Sequence, residues 1–78
     1  MEDELRQIIA KIAETNADYS ADADIREELG VDSHRAVELV FEIERVFDVK
    51  IPVKRFDELQ TLRKATALVA SLKGAAAK

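Results

Sequence analysis

Side-chain chemistry in this chain concentrates in the run Leu29-Gly30-Val31-Asp32-Ser33-His34. It sets a serine, preceded by an acid and a glycine turn, at the mouth of a helical pattern that runs from Ala36 to Phe47 and closes at Ile51-Pro52. A serine so placed presents a hydroxyl that a modifying enzyme can reach. The chain has no cysteine, so any thiol chemistry must arrive on an attached group. Asp32, Ser33 and His34 have the composition of a hydrolytic triad. Neighbours in sequence project in different directions, however, and a triad needs three side chains converging in space. Ser33 as a bare helix cap is the plainer reading of the Asp-Ser pair taken alone. A second cluster of acids, Asp18, Asp22, Asp24, Glu27 and Glu28, lacks the turn glycine and the twelve-residue ligand order of a calcium loop. A solvated loop is expected there, with no metal site.

The elements that must hold Ser33 follow from periodicity. Leu5, Ile8, Ile9 and Ile12 fall at helical spacing from Glu2 to Glu14, with acids at the start where the helix dipole favours them. Asn16 to Asp24 is polar, acid-rich and without period, hence a long first loop. Ile25 and Leu29 pin its end to the core, in a single helical turn, before Gly30 breaks the pattern. The second helix starts at Asp32-Ser33, both good N-cap types, and its inner face is Ala36, Val40, Ile43 and Phe47 with Leu39 beside it. Pro52 stops that helix. Residues 53–60 form a short turn with Phe56 and Leu59 inward. The last helix runs from Thr61, its N-cap, to Leu72, with Leu62, Ala65, Leu68, Val69 and Leu72 on one stripe. Gly74 ends it. No segment alternates at period two. The expected fold is all-α, a four-helix bundle of three long helices and one short one, with a domain over 1–73 and a frayed tail over 74–78.

Seventy-eight residues make one domain, near the lower limit for a single core. The net charge is −4, and tryptophan is absent. These features argue against nucleic-acid and anionic-membrane ligands. Fourteen acids against five bases leave residues 1–48 at −9, whereas seven bases against Asp57 and Glu58 leave residues 50–78 at +5. A basic protein partner would be oriented as well as bound. The start Met-Glu-Asp-Glu is the reverse of a signal peptide, and no apolar run approaches spanning length, so the expected location is the cytoplasm. Nothing demands more than a monomer.

Leu29-Gly30-Val31-Asp32-Ser33, then Val37-Glu38-Leu39-Val40, Glu42-Ile43-Glu44, Phe47-Asp48 and Ile51-Pro52, resemble an acyl carrier protein over nearly the whole chain. The resemblance implies a non-enzyme. A phosphopantetheinyl transferase would attach 4′-phosphopantetheine from coenzyme A to the Ser33 hydroxyl, and the arm's thiol would carry an acyl chain as a thioester to enzymes of lipid, fatty-acid or related biosynthesis. A phosphate at a helix N-terminus suits the free N–H groups there. Asp32 would help bind the transferase; His34 reads first as an exposed residue at the start of the second helix, with contact to the arm's phosphate or to a partner as the alternative. The second helix would be the recognition helix, with Glu38, Glu42 and Glu44 meeting basic patches and Val37 and Phe41 supplying apolar contacts. Val37 and Phe41 could equally be core, or line a shelter for the cargo, and the pattern leaves these open.

Four departures stand out. His34 replaces the family's usual leucine, Arg35 takes a position that is often acidic, Arg45 interrupts the acidic ridge, and Val53-Lys54-Arg55-Phe56 is basic. They point to a dedicated pathway. Ile51-Pro52 followed by Phe56-Asp57 is also similar to D-alanyl carrier proteins, whose aminoacyl cargo is loaded by an adenylating ligase. An unmodified helical interaction module that kept the fold is the third alternative.

Overall fold

A computed structural model describes the backbone of residues 1–76 and the side chains through Gly74. Its elements are α1 (Glu2–Ala13), α2 (Ser33–Phe47), a 3₁₀ segment (Val53–Leu59) and α3 (Leu62–Ala76). The helical bundle of three long elements and one short one is the expected architecture. Among the described residues there is no strand.

The connections after α1 and α2 each begin with a left-handed residue: Glu14 at φ 58° ends α1 and Asp48 at φ 55° ends α2. Each αL turn returns N–H groups to the last helical carbonyls, as in Thr15 N–H to Ala10 O at 3.0 Å and Val49 N–H to Glu44 O at 3.2 Å. The Lys73 ammonium caps the same end of α2 from α3, donating to Phe47 O at 3.0 Å. At the start of α3 the Thr61 hydroxyl accepts from Lys64 N–H at 3.1 Å, the cap expected from sequence.

The helix stripes meet in one core. Leu5, Ile9, Ile25, Leu39, Ile43, Leu62 and Val69 are almost wholly buried, and Leu72 and Phe56 pack at its edge. α1 contacts both α2 and α3, and the 3₁₀ segment lies against α3. Each buried Leu or Ile contributes roughly 1.5–3 kcal/mol.

The polar first loop is ordered by side chains. Arg6 donates to the carbonyls of Ala17 (2.7 Å) and Tyr19, stacks on the Tyr19 ring at 4.9 Å, and has its own carbonyl bonded by the Tyr19 hydroxyl at 2.9 Å. Further along, Asp22 pairs with Arg63 at 2.7 Å and Asp24 accepts from Gln60 at 3.1 Å, while Ile25 N–H donates to Gln60 O at 2.8 Å. The expected turn at its end is present, closed by Glu28 N–H to Asp24 O at 2.8 Å.

One expectation is overturned. Gly74 does not end the last helix, which continues through it to Ala76. A mid-helix glycine costs only about 1 kcal/mol relative to alanine, and the alanines that follow are the best helix formers. The rest of the expected tail, Ala77 and Lys78, lies outside the described residues.

Candidate functional site: an exposed serine on the first turn of α2

Gly30 adopts φ +73°, a left-handed conformation that a side chain would strain. That turn lets Val31 bury its side chain (1 % exposed) and return its N–H to Ile25 O at 3.2 Å. The chain is thereby anchored two residues before the serine. Asp32 follows in extended conformation as the N-cap, its Oδ1 accepting from Arg35 N–H at 2.9 Å.

Because Asp32 supplies the cap, Ser33 does not. It is the first residue of α2 and exposed, and no hydrogen bond among the described residues engages its hydroxyl. The reading of Ser33 as a bare cap therefore fails. The Arg35 N–H goes to the Asp32 side chain and the Ala36 N–H to the Asp32 carbonyl at 2.8 Å. The N–H groups of Ser33 and His34 are left without a partner among the described residues. An anion joined to the Ser33 oxygen would meet these two donors and the positive end of the α2 dipole.

A half-open groove of about 920 Å³ has Ser33 in its wall. Ala36, Val37 and Val40 of α2 form one side, and Phe56 and Leu59 of the 3₁₀ segment face them. Ile25 and Val31 belong to the same lining, and Asp24, Glu27, Asp32 and Asp57, against the single base Arg26, make its charged part net acidic. The question left open by the sequence, whether a cavity lies beside the serine, is thus answered. The groove residues Ile25 and Leu59 had read simply as core, and only their assembly around Ser33, with buried Val31, gives them a place in its wall.

The family of this chain is decided by similarity. A model of the phosphopantetheine attachment site matches residues 3–69. The chain belongs to the acyl carrier protein family. Its cofactor is the family's covalent 4′-phosphopantetheine. The chain is 33 % identical over 75 residues to the acyl carrier protein of Akkermansia muciniphila, covering 95 % of this chain and 94 % of that one. It is 36 % identical over 70 residues to that of Streptomyces coelicolor, covering 87 % and 76 %. With the acyl carrier protein of Amoebophilus asiaticus it shares 38 % over 55 residues, or 70 % and 69 % of the two chains. Family membership implies a transferase and biosynthetic enzymes as partners. No helix among the described residues is long and apolar enough to cross a membrane.

The remaining residues expected at the carrier's site do not form one set. Val37 and Phe41 are 47 % and 65 % exposed, so they are not core, and Val37 also borders the groove. Glu38 is exposed with no ion-pair partner among the described residues. Glu42 is tied to Arg45 at 2.6 Å and Lys11 at 3.9 Å, and the Arg45 hydrogen bond holds its carboxyl below the usual glutamate range. Arg45, read from sequence as an interruption of the acidic ridge, is thus its ion-pair partner. Glu44 turns inward: its Oε2 accepts from the N–H of buried Ile51 at 2.8 Å and fastens the chain after α2. His34 is exposed on the first turn and is not part of the groove lining.

Proposed function

We propose that Ser33 takes the phosphopantetheine arm and that α2 presents the loaded carrier to its partners. The observation that carries this reading is the Ser33 hydroxyl, exposed on the first helical turn, relieved of capping by Asp32 and bordering the groove. In the modifying step the Ser33 oxygen displaces the adenosine bisphosphate half of coenzyme A at the pyrophosphate. One phosphodiester forms, one P–O–P bond breaks, and the hydroxyl proton passes to the transferase. The arm supplies the thiol that a cysteine-free chain lacks.

The chain's own part is to orient that oxygen, to offer the first-turn N–H groups to the phosphate, and to shield an acyl segment along Val37, Val40 and Phe56. Asp32, exposed beside the serine, is the acid a transferase meets first, and His34, exposed on the same first turn, would meet the arm's phosphate. Val37 and Phe41 lie one turn apart on the exposed face with Glu38 between them, an apolar contact edged by a free carboxylate. Catalysis belongs to the partners. The cargo is an acyl intermediate of lipid, fatty-acid or related biosynthesis, handled by a monomeric carrier in the cytoplasm.

Mass spectrometry after incubation with coenzyme A and a broad-specificity phosphopantetheinyl transferase tests this. One phosphopantetheine should appear on the peptide containing Ser33 and none on the Ser33→Ala protein. An unmodified wild-type chain would leave only a helical interaction module, and modification of the alanine variant would move the site elsewhere.

A further inference from the structure

We propose that Arg35 is a positioning residue for the modification, strapping the first turn of α2 to the end of α1. The proposal rests on Ser33 being the attachment residue. Arg35 is half-buried and makes three bonds in two directions. Its backbone N–H closes the Asp32 cap at 2.9 Å, in a ring that spans Ser33. Its guanidinium leaves α2 altogether: Nη1 donates to Ile12 O at 2.7 Å and Nη2 pairs with Glu14 Oε2 at 3.4 Å.

The receiving end is a helix terminus that needs a donor. The last four carbonyls of α1 have no intrahelical partner. The αL turn supplies N–H groups to two carbonyls near the end, with Thr15 N–H on Ala10 O and Glu14 N–H on Lys11 O. Ile12 O is instead met by the Arg35 side chain, 23 residues away in sequence. A cation there also suits the negative end of the α1 dipole. One residue thus joins the cap that places Ser33 to the end of a neighbouring helix, and the serine lies within the ring that the cap closes.

The first turn of a helix opens more easily than its middle. A turn held on a second helix spends more of its time in the one geometry that aims the Ser33 oxygen. Where only part of the population is competent, the apparent affinity of the enzyme falls by that fraction. Removing the strap should therefore raise KM for the carrier and leave kcat alone.

The test uses the whole chain with coenzyme A and a broad-specificity phosphopantetheinyl transferase. For Arg35→Ala, the amides of positions 35 and 36 should exchange with solvent roughly 5-fold faster, in keeping with loss of a partly exposed charged hydrogen bond. KM should rise by roughly 2-fold, within the roughly 5-fold ceiling set by the faster opening, with kcat unchanged. Glu14→Ala removes one arm of the strap from the other helix and should raise KM in the same direction, by less. The double variant should be no worse than Arg35→Ala, because the two act through one contact. Arg35→Lys should rescue in part, since an ammonium reaches one of the two acceptors.

A direct contact between Arg35 and the transferase or coenzyme A predicts otherwise. Freeing the guanidinium by Glu14→Ala would then lower KM or leave it unchanged, and Arg35→Lys would restore it fully. Either of those results overturns the proposal, as does faster exchange without any change in KM. Failure of the attachment reading is distinguishable, since the wild-type chain would then gain no mass at all.

Discussion

Three acids on α2 carry the same charge, and the fold gives them different work. Glu44 is the informative one. Its carboxylate accepts from the Ile51 N–H at 2.8 Å, and Ile51 is only 5 % exposed. Glu44→Ala strands that donor where water has little access. The cost of a buried donor losing its partner is about 1–3 kcal/mol. A 78-residue domain at 0.05–0.15 kcal/mol per residue has a total of roughly 4–12 kcal/mol. A loss of about 2 kcal/mol would lower Tm by roughly 8–16 °C at this size. Glu44→Gln keeps a neutral acceptor and should lose less. Glu38→Ala, with no partner to strand, should stay within about 0.5 kcal/mol of wild type. Thermal unfolding followed by circular dichroism orders the three variants. In transfer to a partner enzyme the order should reverse, with Glu38→Ala the more impaired at a temperature where both are folded. Should Glu44→Ala melt within about 4 °C of Glu38→Ala, the anchoring of Ile51 does not carry the stability assigned to it.

Other outcomes follow from the same structure. Phe47→Ala should cost about 3–5 kcal/mol, seen as loss of cooperative unfolding or a much lower urea midpoint; a near-unchanged midpoint would mean the inner face of α2 is wrong. Gly30→Ala meets no neighbouring atom but forces a side chain into φ +73°, and should cost about 1–2 kcal/mol by chemical denaturation. The Arg63 hydrogen bond holds Asp22 below the usual aspartate range, and the Glu27 N–H and Gln60 do the same for Asp24. These contributions are complete above the unfolded aspartate value and are lost as pH falls through the lower folded one, so the first loop should loosen below about pH 4. Carboxyl NMR titration should show Asp22 returning upward in Arg63→Ala. Burial pushes the Tyr19 hydroxyl up to about 12, against a smaller opposing pull from Arg6. Its stabilising share is therefore present below the unfolded tyrosine value near 10 and lost as pH rises from there through 12. Tyrosinate absorbance in the folded protein should rise with a midpoint near 12, and a midpoint near 10 would place the ring in water.

Local signals, which need no tertiary structure, determined much of this protein. Residues in chain order are enough to make Leu5, Ile8 and Ile9 one face, to set Asp32-Ser33 before a helix, to cap α3 at Thr61, and to match a carrier family along the pattern from Leu29 to Pro52. Each depends on neighbours within one or two turns. Gly74 misled because a single glycine lowers helix stability without forbidding it. Tertiary structure decided whatever depends on which face meets which element. Spacing alone makes Val37 and Phe41 as apolar as Leu39 and Ile43, and only docking against α1 and the core leaves the first pair outside. Charge alone makes Glu38, Glu42 and Glu44 equivalent, and only the path of the chain through Ile51 brings a backbone donor to Glu44. The groove beside Ser33 and the reach of Arg35 to Ile12 join segments far apart in sequence. No local pattern encodes such contacts, because they exist only once the helices have packed.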